Sequence, residues 1–197
     1  NEILKRVSES YRRLRNTLRF LLANLADFEI STQEVAFADL VEIDQYALVQ
    51  AQALQSQIAE QIGSEQPALY ARYAFHQATQ ALIQYCSEDL GGFYLDILKD
   101  RLYTSGANSH ARRSAQTALY HITHNLVQLL APILSFTAEE VWAELSSNPA
   151  TDSIFYHTYH TFPIIPATQA EQLQADWSRI RTIRTEVQKT LETLRAA

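Results

Sequence analysis

Only one cysteine, Cys86, stands among the 197 residues, and there is no methionine at all. A single thiol excludes an internal disulfide framework and any multi-cysteine zinc site. Glycine is nearly as scarce. Gly63, Gly91, Gly92 and Gly106 cannot make a GxxxxGK or GxGxxG loop, so nucleotide folds that cradle phosphate on such loops are excluded. No apolar run approaches the roughly 20 residues that cross a bilayer, and the first five residues hold no apolar signal-peptide centre. The missing initiator methionine predicts a chain cut from something longer. What is present is 47% apolar and 19% charged, enough for a packed core and too apolar for disorder. The length fits one large domain or a small pair.

The net charge of −6 would argue against a nucleic-acid partner, but its distribution argues the other way. Residues 1–25 carry six cations (Lys5, Arg6, Arg12, Arg13, Arg15, Arg19) against Glu2 and Glu9, a local +4. Residues 26–70 carry no Lys or Arg and eight acids, a local −8. A basic helix short of compensating acids is either a solvated face or a phosphate binder.

Periodicity predicts helices almost throughout. Leu4, Val7, Tyr11, Leu14, Leu18, Leu21 and Leu25 step by three and four, a narrow stripe that calls for a partner helix. Arg12, Arg15 and Arg19, with Lys5 and Ser8 continuing the row, lie on another side. A second helix is expected from about Val41, burying Ile43, Ala47, Ala51, Leu54, Ile58 and Ile62 and interrupted at Gly63–Pro67. A third stretch runs from about Phe75 to Tyr103. Its Gly91-Gly92 pair either kinks it or admits another backbone. Ser109 is a plausible N-cap for a long helix that ends or bends at Pro132. Thr137 and Glu140 read as a capping box. The pattern stops from Ser146 to Thr168, and a last helix resumes near Gln169. The fold class expected is all-α, a helical bundle with one irregular crossover and a C-terminal helix.

Enzymatic constellations are thin. His121/His124 and His157/His160 share an i, i+3 spacing and could in principle share a metal, but no Glu-x-x-His accompanies them. Partnered histidines are the plainer reading. Cys86 reads as a buried inert thiol. Lys99 and Arg101, in Asp96–Arg101, fit ion pairs within the helix or a contact to another domain or to RNA. Arg112 and Arg113 sit in a first helical turn, where the helix dipole disfavours cations. That placement points to function or to a carboxylate elsewhere in the chain.

Ser8–Leu25, Cys86–Tyr103, Ala111–Ile122 and Leu130–Trp142 together resemble the anticodon-binding domain of the isoleucyl-tRNA synthetases of bacterial type. The resemblance implies a parent that attaches isoleucine to its tRNA using ATP, with an editing domain for mischarged valine. The catalytic HIGH and KMSKS signatures are absent from this chain, as is a cysteine-bearing zinc tail. It implies no cofactor in this segment; the parent would use ATP with Mg, and zinc in a C-terminal tail. The implied partners are an isoleucine tRNA, held at its anticodon stem-loop, and the catalytic domain of the same parent chain, with no membrane and a cytoplasmic location. The division implied is 1–147 for the bundle, 148–168 for a connection packed on it, and 169–197 for a helix leading toward the tail.

Lys5, Arg12, Arg15 and Arg19 are the expected phosphate contacts. Arg13 and Asn16 flank them, and Lys99, Arg101, Arg112 and Arg113 are further tRNA-binding candidates. A non-catalytic helical scaffold that docks on protein is the alternative. Two departures from the family pattern stand out: Gly63–Pro67 resembles an insertion, and Ala74 stands before Phe75 where an N-cap Asp would be usual.

Overall fold

The computed structural model describes residues 2–59 and 67–196. Among these residues there are helices and connections but no strand, as expected for an all-α chain. The elements follow the apolar periodicity. Helix α1 (Glu2–Leu25) sinks Leu14, Leu18 and Leu21 into the core. Its first two turns run past the bundle, so the predicted stripe divides: Ile3, Leu4 and Val7 are exposed. The single turn α2 (Ile30–Gln33) is capped by Glu29, whose carboxylate accepts from the Ser31 N–H. A 3-10 turn, Phe37–Asp39, leads to α3 (Glu42–Ile58). In α3, Ile43, Ala47, Ala51, Leu54 and Ile58 are buried as the spacing predicts. The predicted extension to Ile62 and residues 63–66 of the predicted interruption lie outside the described residues.

The long stretch predicted from Phe75 is three segments in one rod: α4 (Phe75–Gln84), a π-helical Tyr85–Tyr94, and α5 (Leu95–Thr104). Helix α4 starts without a side-chain cap, Ala74 standing at that position. Tyr73, just before it, sits in the left-handed region at φ 57°. Gly91-Gly92 neither breaks the rod nor admits a second chain. In the wider π turn each glycine faces the carbonyl five residues back. A Cβ on Gly91 would lie 3.0 Å from the Cys86 oxygen, and one on Gly92 3.2 Å from that of Ser87. Since backbone cannot step aside cheaply, Gly91→Ala is expected to cost about 1–3 kcal/mol in urea unfolding. Gly92→Ala should cost less.

Helix α6 (His110–Leu130) is the axis of the bundle, flanked by α1, α3, α5 and α7 (Ser135–Leu145). Its N-cap is Ser109, as expected, with the hydroxyl accepting from the Arg112 N–H. It is buried on all sides, so its polar residues need internal partners. The Asn125 amide donates to the Ala51 carbonyl at 3.0 Å and that of Gln116 to the Asn24 carbonyl at 2.9 Å. The irregular crossover, with a 3-10 turn at Ile154–Tyr156, lies on the bundle and buries Ile154. Helix α8 (Ala167–Ala196) docks its first half on α3, where Trp177 stacks on Tyr46 with ring centroids 5.4 Å apart. Ile183, Val187, Leu191 and Leu194 in the later turns are exposed.

The capping box at Thr137–Glu140 is corrected by the structure. Helix α7 begins three residues earlier, at Ser135, with Leu134 at the cap and no side-chain cap bond. Pro132 stops α6, and the Ile133 and Leu134 N–H groups turn back onto the Leu130 carbonyl, so the new helix starts at once. Thr137 and Glu140 are thereby released to face α1.

Candidate nucleic-acid interface

Burial orients α1. With Leu14, Leu18 and Leu21 inward, 3.6 residues per turn put Lys5, Arg12, Asn16 and Arg19 on the opposite face, and all four are exposed. Lys5, Arg12 and Arg19 recur every seven residues, about 10 Å apart along the axis. Arg6 and Arg13 flank this ridge on one side. Lys5, Arg6, Arg13 and Arg19 have no carboxylate partner among the described residues. Arg12 pairs with Glu9 one turn back, both exposed. An exposed pair of this kind is worth little, so a phosphate can replace the carboxylate at small cost.

Arg15 belongs to a different edge. Its guanidinium makes a two-pronged contact with Glu140 of α7, 2.7 Å at each oxygen, and the Tyr11 hydroxyl beside it meets the Thr137 hydroxyl at 3.1 Å. The Arg15 hydrogen bond holds the Glu140 carboxyl below its ordinary pKa, and the carboxylate raises that of Arg15. The predicted row therefore splits: Arg15 clamps α1 to α7 while its neighbours face outward. On the other flank α1 packs against the π segment, which carries the Cys86 thiol. Burial pushes this thiol up to about 12, which fits the inert reading.

The remaining cationic candidates mostly answer the acidic segment. Lys99 is exposed and bonds Asp96 at 3.0 Å on its own helix. Arg101 reaches 57 residues back to the fully buried Asp44, contacting its two oxygens at 3.0 and 2.5 Å. Asp44 also accepts from the Tyr94 and Ser114 hydroxyls at 2.8 and 2.6 Å, so one carboxylate of α3 ties down the π segment, α5 and α6. Arg112 bonds Asp27 at 3.1 Å and the Leu102 carbonyl. Arg113, only 9% exposed, contacts the Asp27 carbonyl, Gln116 and Asn108. Burial pushes the Asp27 carboxyl up, but hydrogen bonds from Arg112 and Gln116 outweigh it and hold the group below its ordinary value. Two cations in a first turn are thus tolerated because a carboxylate from the α1–α2 connection lies over them. Sequence reasoning missed Asp44. The available signal was eight acids in a segment without cations, opposite arginines without local partners.

The histidines make a partnered cluster between α6 and the crossover. His121 Nδ1 lies 2.8 Å from His160 Nε2, a bond that requires at least one neutral ring. His124 Nδ1 meets the Tyr120 carbonyl at 3.0 Å, and His157 meets Asp152 at 2.6 Å. Hydrogen bonds from His157, Ser146 and Trp142 hold Asp152 down to about 2. No group of three or more His, Cys, Asp or Glu that could hold a metal is present among the described residues.

Burial, reinforced by the neighbouring rings, lowers His121 to about 4 and His160 to about 3, and burial lowers His124 as well. These groups stay neutral in the fold while the unfolded chain takes up their protons below about pH 6.5. Stability is therefore unaffected above that pH and falls as the pH drops toward 4, by up to about 1.4 kcal/mol per pH unit for each histidine. Urea titrations between pH 7.5 and 4.5 should show this slope, and His160→Gln should flatten it.

Known proteins are similar to this chain in sequence over its whole length. Residues 44–197 match the family described as the anticodon-binding domain of tRNA ligase. The whole chain is 52% identical over 196 residues to an isoleucine--tRNA ligase of Chromobacterium violaceum, which covers 100% of this chain and 20% of the relative. It is 55% identical over 195 residues to that of Neisseria meningitidis serogroup A, and 56% over 197 to that of Nitrosomonas europaea, each covering 99% of this chain and 20% of the relative. The chain thus spans about one fifth of the length of the curated relatives it matches, and those matches take in α1, which lies outside the family match. An all-α bundle matched over more than three quarters of its length leaves one assignment: this chain belongs to the anticodon-binding domain family of tRNA ligases.

Proposed function

We propose that this chain holds the anticodon arm of an isoleucine tRNA, with the outward face of α1 lying along the RNA backbone. The observation that supports it is the ridge of Lys5, Arg12 and Arg19, flanked by Arg13 and Asn16, opposite a seam buried in the core. Phosphate contacts of this kind position an RNA without reading it. A helix clamped by Arg15–Glu140 on one flank and packed against the π segment on the other carries its cations on a fixed backbone. Arg15, Arg101, Arg112 and Arg113 serve this reading as positioning residues, each holding a helix in place through an internal partner. Lys99, exposed beside Asp96, is an outlying contact.

The relatives' name brings the joining of isoleucine to tRNA into this proposal as the parent reaction; its dependence on ATP, a cytoplasmic location and a catalytic domain of the same chain as partner come from the family resemblance. The exposed Ile3, Leu4 and Val7 suit such an intramolecular contact. No group of three or more His, Cys, Asp or Glu that could hold Mg or zinc is present among the described residues, and no step here runs through a metal or ATP. The test is a gel shift at low salt with an isoleucine tRNA against an unrelated tRNA. Binding of the isoleucine tRNA is expected, and no binding of either would leave the helical-scaffold alternative standing.

A further inference from the structure

The α4–π rod packs against α1, its α4 part also touches α3, and α3 in turn carries α8. Two adjoining hollows open along this side, one of about 480 Å³ between α3 and α8 and one of about 210 Å³ between α3 and the π segment. They meet at Gln50, which lines both. The π-helical segment, which packs against α1, also borders them: its Asp89 bonds Arg181 of α8 at 2.5 Å.

The walls carry amides and hydroxyls rather than charge. Arg181 is neutralised by Asp89, bonds the Tyr46 hydroxyl at 3.3 Å and lies 4.9 Å from the Phe93 ring centre, so it is fixed in place. The side chains of Gln50 and Gln174 have no hydrogen-bond partner among the described residues. The Thr182 and Thr185 hydroxyls donate to the Ser178 and Arg181 carbonyls at 2.9 Å, leaving their oxygens as acceptors. Tyr85, only 5% exposed, lines the smaller hollow with an unpartnered hydroxyl. A phosphate would need net positive charge here, a metal would need converging carboxylates or imidazoles, and an apolar ligand would need greasy walls. The edge of a heterocycle, with donors and acceptors side by side, is what unspent amides match.

We propose that this groove receives an unstacked nucleobase from the loop of the RNA whose backbone lies along α1, with the Gln50 and Gln174 amides bonding its edge. This inference rests on the tRNA-binding reading and adds to it the residues that read sequence.

The test uses the whole chain and two RNA hairpins: an isoleucine anticodon stem-loop, and the same stem with every loop base changed. Replacing Gln50 and Gln174 together by Leu keeps their approximate size at positions outside the buried core. It should reduce the affinity ratio between the hairpins about tenfold, with the salt dependence unchanged. 4-Thiouridine in the loop should crosslink to peptides spanning 46–57 and 174–185. An unchanged ratio with crosslinks elsewhere would overturn the proposal and leave a solvated polar surface only. In that case ridge variants that still weaken both hairpins equally would leave the tRNA reading intact. Absence of binding to either hairpin would overturn both.

Discussion

Reversing the ridge with Arg12→Glu and Arg19→Glu together is expected to weaken binding of an anticodon stem-loop on the order of a hundredfold near 0.1 M salt. The two side chains lie on the face of α1 turned away from the core, so the fold should be unchanged by circular dichroism and urea titration. The loss should be nearly equal for hairpins of different loop sequence, because a phosphate contact carries no base identity. Arg15→Glu offers the informative contrast. It places a carboxylate against Glu140 and should loosen the α1–α7 clamp, shifting stability as well as affinity, whereas the ridge pair shifts affinity alone. Unchanged RNA binding in the ridge pair would remove α1 from the interface.

Asp44→Ala should be the most damaging single change to the fold, costing about 3–5 kcal/mol in urea unfolding at neutral pH. Its carboxylate is fully buried and accepts from Arg101, Tyr94 and Ser114, which belong to three different segments. Truncation leaves a mostly buried guanidinium without its counter-charge and two hydroxyls without their acceptor. Asp44→Asn keeps the volume and part of the bonding but loses the charge, so it should lie between Ala and the parent. A loss below about 1 kcal/mol for Asp44→Ala would mean that water reaches Arg101 and that this hub adds little.

Much of this molecule is legible from spacing, and the exceptions have a common cause. A seven-residue repeat is enough to place Lys5, Arg12 and Arg19 together on one face, since two helical turns nearly restore the direction. Arg15, three residues from Arg12, looks like part of the same row. It stands far enough round the helix to meet α7, and only packing reveals that. The Gly91-Gly92 pair announces an irregularity, but which carbonyl needs the space depends on a π turn that no short-range pattern specifies. The false capping box at Thr137 has the right residues, yet the α6–α7 turn at Pro132 starts the helix earlier and frees Thr137 and Glu140 for α1. Asp44 was invisible for the plainest reason: its partners lie 50–70 residues away. A buried acid in an amphipathic helix looks like a solvated one until its neighbours are known. Lys99 with Asp96 was readable because both partners lie within one turn. The same distance argument hides the Gln50–Gln174 groove, whose walls come from α3 and α8.

The claim that carries the functional reading is that the outward cations of α1 lie along an RNA backbone. The salt dependence of anticodon stem-loop binding tests this most directly. With about four phosphates neutralised, a plot of log affinity against log salt concentration should have a slope of about −3 to −4. In the chain carrying Lys5→Gln, Arg12→Gln and Arg19→Gln the slope should be shallower by about one for each side chain. A slope near zero in the unaltered chain, or the same slope in both, would contradict the proposed contact.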